Sequence, residues 1–139
     1  MLRKNRLTLI LIAAALLIVP LLSACGRQGP ITADLTDNKI NLSTATASAG
    51  DVTFKIKNDS ASEVHELVVL RTDMPADKLT LGADGAVDEE KFDSAGEQGD
   101  IDADKSADLT LKLSPGHYAL ICNQPGHYAA GMHLDFTVN

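Results

Sequence analysis

At 139 residues the chain has room for one modest domain and too little for two. Three of its 12 basic residues (Arg3, Lys4 and Arg6) fall in the first 24 positions, and all 19 acidic residues lie beyond them. So acidic a body repels phosphate backbones and anionic headgroups, which argues against nucleic acid as a partner. With aromatic residues at 4% and no Trp, any core must rest on Val, Leu, Ile and Ala.

The amino terminus reads as an address. A basic stretch, Met1 to Arg6, precedes an apolar run from Leu7 to Leu22, and small residues follow just before a cysteine. That is the shape of a secretory signal peptide. Leu22-Ser23-Ala24-Cys25 resembles the bacterial lipobox, in which the Cys becomes the first mature residue and carries lipid. An uncleaved membrane helix and ordinary cleavage near Ala24 are the alternatives. The run is only about 16 residues long and contains Pro20, short for a stable span. The expectation is a lipoprotein signal peptide over 1–24 and lipid attachment at Cys25. Residues 25–37, with Gly, Pro, Arg and Gln, read as a tether, and 38–139 as an extracytoplasmic domain held to a bacterial membrane.

With Cys25 taken by lipid, Cys122 stands alone and no intramolecular disulfide is possible. A single thiol in an oxidising compartment is a liability unless it is buried and inert or held by a metal.

Beyond residue 38 the pattern has period two. Val52, Phe54 and Ile56 alternate with Thr53, Lys55 and Lys57; Leu109, Leu111 and Leu113 alternate with Asp108, Thr110 and Lys112. Tyr118, Leu120 and Cys122 share one face, as do Met132, Leu134, Phe136 and Val138. Half-buried strands separated by Gly, Asn, Asp and Pro turns predict an all-β antiparallel sandwich or barrel. Glu66 to Arg71 is more continuously apolar, as expected near a sheet centre. Helical periodicity is absent apart from one possible turn at Met74–Leu79, opened by Pro75. Asp84 to Asp104 is acidic and Gly-bearing, and reads as a long, partly mobile surface excursion. It is either a solvated face or a docking face for a redox partner.

Cys122-Asn-Gln-Pro-Gly-His127-Tyr-Ala-Ala-Gly-Met132 carries the chemistry. It places a thiolate, an imidazole and a thioether on one loop between neighbouring strands. Soft sulfur with imidazole selects copper or zinc over magnesium or calcium, and two His, one Cys and a weak Met make a blue-copper set. Met is a poor fourth ligand for zinc. The second His is best supplied by His65, which opens the strand Glu66 to Arg71 after the polar turn 58–62. Each residue has a plainer reading: Cys122 as an inert thiol, Met132 as a core gap-filler, His65 as a structural histidine. His133 reads as a surface residue, and Tyr118 as a core residue whose hydroxyl reaches the rim. Pro-Gly-His-Tyr-Ala occurs twice, at 115–119 and 125–129. His117 lies five residues before Cys122 on the same strand and so points to the opposite face.

Val-His-Glu-Leu-Val-Val, with Gly-His-Tyr-Ala-Leu-Ile-Cys-Asn-Gln-Pro-Gly-His-Tyr-Ala-Ala-Gly-Met, resembles the cupredoxin family over about residues 38–139. The Cys-x4-His-x4-Met spacing is similar to that of rusticyanin and sulfocyanin. The resemblance implies an eight-stranded Greek-key sandwich and one copper ion shuttling between Cu(I) and Cu(II). By motif position it gives His65 the strand-borne ligand role, Cys122 the thiolate, His127 the exposed loop histidine and Met132 the axial ligand. Several cupredoxins place Asn beside the first His to brace the ligand loop. Here the neighbours are Val64 and Glu66, leaving Asn58 and Asn123 as candidates. The expected function is one-electron transfer at the outer face of a membrane, with a cytochrome or oxidase as redox partner. Copper delivery without redox turnover is the alternative. An enzyme would need further copper centres, and only His117 and His133 remain to build them.

Overall fold

The computed structural model describes residues 28–139; the expected signal peptide and Cys25 lie outside the described residues. Nine strands form two sheets packed face to face. One sheet has the order β2-β1-β4-β7, from Ile31–Thr36 (β1), Lys39–Leu42 (β2), Gly50–Asn58 (β4) and Ser106–Leu113 (β7). The other is β3-β9-β8-β5-β6, from Thr46–Ala47 (β3), His65–Arg71 (β5), Asp93–Ile101 (β6), Gly116–Ile121 (β8) and His133–Val138 (β9). The family resemblance implied eight strands; the ninth is the two-residue β3. The sheets are mixed rather than antiparallel throughout, because β1 runs parallel to β4 and β3 parallel to β9.

Alternation decides which side chains meet between the sheets. Phe54 from β4 and Phe136 from β9, both fully buried, meet edge to face with centroids 5.5 Å apart. Such a pair adds about 0.5–1.5 kcal/mol to what its burial contributes. Ile31, Ala33, Leu35, Ile56, Leu67, Val69 and Leu120 complete the inner layer.

Two expectations need correction. Residues 31–36, assigned to the tether, form β1 with a buried, exposed, buried alternation. Ile31, Ala33 and Leu35 carry a period-two pattern that the flanking Gly, Pro and Gln composition hides. The stretch from Asp84 to Asp104 is also more ordered than expected: Glu89–Lys91 makes a 3-10 turn and β6 pairs antiparallel with β5. β6 was illegible because it is an edge strand with two Gly and few apolar residues, held by main-chain bonds rather than by burial.

β5 lies inside its sheet, between β6 and β8, as its continuous apolar run suggests. Its outer side chains, Val68 and Leu70, are covered by a second apolar cluster of Ala76, Leu79, Val87, Ala119, Ile121 and Tyr128. The 3-10 turn Ala76–Lys78 falls where Pro75 predicted one turn.

This topology assembles the site. β5 and β9 both run antiparallel to β8. The start of β5, the end of β8 and the start of β9 therefore meet at one end of the sandwich. His65 opens β5, Cys122 follows β8 and Met132 precedes β9.

Candidate metal centre

The ligand loop is shaped by its own backbone. Cys122 donates its N–H to Met132 O at 3.0 Å, closing the loop at its base, and Met132 donates to His127 O at 3.1 Å. One helical turn, His127–Ala130 (α1), stands between glycines at positive φ: Gly126 at 85° and Gly131 at 113°. At Gly131 a Cβ would also meet Asn38 O at 3.2 Å, so both sterics and backbone angle reserve the position for glycine. The sequence reading expected a simple Pro125-Gly126 reversal there. A four-residue helical turn is too short to leave a 3.6-residue period.

Three donor atoms converge. His65 Nδ1 and His127 Nδ1 are 3.1 Å apart, and Cys122 Sγ lies 3.7 Å from the first and 3.4 Å from the second. A point equidistant from all three is about 2.0 Å from each, the length of a metal–imidazole bond and slightly under a metal–thiolate bond. Among the described residues these three form the group of His, Cys and acidic side chains placed to hold a metal ion. His65 and Cys122 are fully buried, as is Met132, and His127 is half-buried. On its far side His65 Nε2 is buried with no hydrogen-bond partner, so the ring forgoes a bond there while Nδ1 faces the other donors. Two ring nitrogens and a sulfur aimed at one buried point form a donor set that a soft metal ion can share.

The electrostatics suit metal uptake. Burial, and then the neighbouring His127, lowers the pKa of His65, keeping its imidazole neutral. Burial pushes the Cys122 thiol up, against the N–H groups of Glu66 and Gln124, which favour the thiolate. A metal ion must therefore displace a proton from sulfur, which couples uptake to pH.

Neighbouring residues hold the site in ways the sequence left open. Asn58 is fully buried and braces the preceding turn, donating to Glu63 O and Ile101 O while accepting the Ser60 N–H. Asn123 ties the ligand loop to the acidic stretch: its amide oxygen accepts the Val87 N–H at 2.7 Å and its amide nitrogen donates to Val87 O at 3.0 Å. Glu66 was not singled out from sequence, yet its carboxylate accepts the Asn123 N–H at 2.9 Å. Tyr128 was missed too. Its hydroxyl donates to Ala76 O and accepts the Leu79 N–H, pinning α1 to the segment over the second sheet. Its place directly after His127 was the one available signal.

The duplicated motif resolves as expected. His117 faces away from the cluster, with Nε2 on Asp135 at 2.9 Å and Nδ1 on Thr72 O at 2.6 Å. His133 is less exposed than expected, since its ring packs 5.0 Å from that of Tyr128. Tyr118 is in the core, and its hydroxyl donates to Ser114 O, at the end of the strand away from Cys122.

The sulfocyanin (SoxE) domain matches residues 36–139, most of the chain. The chain belongs to the sulfocyanin family. Solved structures share the fold of this sulfocyanin. Reduced auracyanin from Roseiflexus castenholzii is 20% identical with a TM-score of 0.58, over 78% of this chain and 94% of that one. Auracyanin A, a "blue" copper protein from Chloroflexus aurantiacus, is 23% identical with a TM-score of 0.55, over 80% and 100%. Rusticyanin from Thiobacillus ferrooxidans is 19% identical with a TM-score of 0.54, over 78% and 75%. No protein of curated function matches the sequence significantly. Fold and family agree on a cupredoxin sandwich, and His65, Cys122, His127 and Met132 form its type 1 copper site. The Roseiflexus auracyanin was solved in a dithionite-reduced state, and rusticyanin in a reduced state as well.

Proposed function

We propose that this sulfocyanin is a one-electron carrier working at the outer face of a bacterial membrane, to which Cys25 anchors it through lipid. The observation that carries the reading is the triangle of His65 Nδ1, His127 Nδ1 and Cys122 Sγ, brought together from the start of β5, the turn α1 and the end of β8. Bound copper supplies the Cu(I)/Cu(II) couple. His65, Cys122 and His127 would hold the ion through their converging nitrogen and sulfur donors, and Met132 would add a weak thioether contact. The burial of His65, Cys122 and Met132 within the packed sandwich would favour one set of donor positions in both oxidation states of a bound copper, keeping the cost of reorganisation low. His127 is the only one of the four donors whose side chain reaches solvent, at 16% exposure, and so provides the edge through which an electron enters and leaves. A cytochrome or an oxidase fits as partner.

Cyclic voltammetry tests this reading. A carrier gives a reversible one-electron wave and keeps its copper through repeated cycles and against a Cu(I) chelator. A copper-delivery protein yields its ion to the chelator. Met132→Leu is expected to keep the thiolate–copper colour and raise the potential, because Cu(II) suffers more than Cu(I) from the loss of a fourth donor. An unchanged or lowered potential would count against Met132 as a ligand.

A further inference from the structure

The chain enters the sandwich at the end away from the metal centre. β1 and β4 run parallel with Leu35 beside Asn58, and Asn58 donates to Glu63 O just ahead of His65. Both strands therefore point toward the site and begin away from it. β4 is nine residues long, so at about 3.3 Å per residue its two ends stand about 25–30 Å apart. The far end is made by residues 43–50, by the turn 114–116 and by the close of β9.

Gln28 shortens the lead into β1. Its side-chain oxygen accepts the Ser48 N–H at 2.7 Å, and its amide nitrogen donates to Thr46 O at 3.4 Å. Thr46 belongs to β3, which pairs with β9, so the lead is tied to the body of a sheet. Gly29-Pro30 follows, a pair biased to extended backbone. From Cys25 to Ile31 the chain takes six steps, a reach of up to about 20 Å; to Gln28 it takes three, a reach of about 10 Å. For a domain held by lipid at Cys25, the difference decides how it can lie. To lay the opposite face on the bilayer, the point of entry must rise well beyond the domain's radius of about 17 Å, and to lie on a flank it must rise by about that radius. Six steps reach the flank and three do not.

Charge favours the same pose. The turns at the metal end hold Asp37, Asp59, Glu63, Asp100, Asp102 and Asp104, outnumbering the lysines beside them. Residues 43–50 and 114–116 carry no charged side chain. Next to them Asp51 pairs with Lys112 at 3.2 Å, and Arg71, opposite Asp93, donates to Pro115 O. Anionic headgroups repel the first end within a Debye length of about 8–10 Å and are nearly indifferent to the second.

We propose that the far end of the sandwich, residues 43–50 with 114–116, is the surface that rests on an anionic bilayer, with Gln28 as the pin that holds it there and the metal end turned outward. This rests on the lipid anchor at Cys25 proposed above. The electron partner is then met about 25–30 Å above the bilayer rather than in its plane.

The test uses the full chain isolated from membranes with Cys122→Ser, so that neither copper nor a second thiol enters the result. One added cysteine carries a fluorophore, through A49C at the far end or A61C at the metal end; both alanines are exposed. Each chain is reconstituted in vesicles of phosphatidylcholine and phosphatidylglycerol that contain a short-range quencher on the headgroup. The label of A49C should be quenched severalfold more than that of A61C. Adding Q28A, which lengthens the lead, should raise the quenching of A61C toward that of A49C. The proposal is overturned if the two labels are quenched alike in the unpinned and pinned chains, or if A61C is the more quenched. It is overturned as regards the pin if Q28A changes neither label. A chain that does not float with the vesicles refutes the lipid anchor and the pose with it, whereas one that floats with the labels quenched alike refutes the pose alone.

Discussion

Tyr128→Phe removes one oxygen atom and, by the geometry, two buried hydrogen bonds. The hydroxyl donates to Ala76 O at 2.8 Å and accepts the Leu79 N–H at 3.0 Å. Ala76, Leu79 and Tyr128 are all buried, so water does not reach the two main-chain groups left behind. Leaving a buried donor or acceptor unpaired costs about 1–3 kcal/mol, against a net contribution near 1 kcal/mol for a bond whose partners are resolvated. Two such groups, one at a segment able to shift slightly, give an expected loss of about 2–4 kcal/mol. The ring itself is kept, so no cavity term adds to this. In urea, with a slope of about 1–1.5 kcal/mol per molar for a domain of this size, the midpoint of the metal-free protein should fall by about 2 M, with the slope unchanged. The copper-loaded variant should keep its band position, because the lost hydroxyl bonds only Ala76 and Leu79 and none of the four donor side chains. A loss under about 0.5 kcal/mol would refute the reasoning, since it would mean that water replaces the hydroxyl.

Further outcomes follow from the same contacts. His117→Ala should leave colour and copper affinity intact, whereas His127→Ala should perturb the spectrum and open a position that added imidazole fills; spectral titration separates them, and the reverse pattern would contradict the assignment. Metal-free stability should fall at both ends of the pH scale. The His65 pKa is lowered below its usual 6.5, so the unfolded chain takes up a proton that the folded one refuses, and stability is lost as pH falls from there. The Cys122 pKa is raised above 9.0, so stability is lost as pH rises beyond that value; a flat urea-midpoint profile from about pH 5 to pH 10 would contradict the burial of both groups. Cys25→Ser should abolish palmitate labelling in cells and disturb processing, and absence of label from the wild-type chain would remove the lipid anchor.

The sequence made the donors legible because ligand chemistry is strict. A Cys, a His and a Met spaced on one loop have few other uses, and strand alternation shows which face Cys122 and Met132 share. His65 was legible because it opens an apolar strand after a polar turn. What stayed hidden depends on contacts between distant segments. Glu66 and Asn123 are 57 positions apart and meet only because β5 and β8 part at that point. Asn123 and Val87 meet because the acidic stretch folds back over the second sheet, which its composition does not announce. β1 was missed for a different reason: its short alternation borders a stretch of tether-like residues, and its parallel partner β4 lies about 20 positions away.

The central claim is that His65, Cys122, His127 and Met132 form a type 1 copper site, and the visible absorption spectrum of the purified, copper(II)-loaded protein tests it most directly. The expected result is an intense band near about 600 nm from thiolate-to-copper charge transfer, lost in Cys122→Ser. A weak ligand-field band alone, or an intense band that survives Cys122→Ser, would contradict the account.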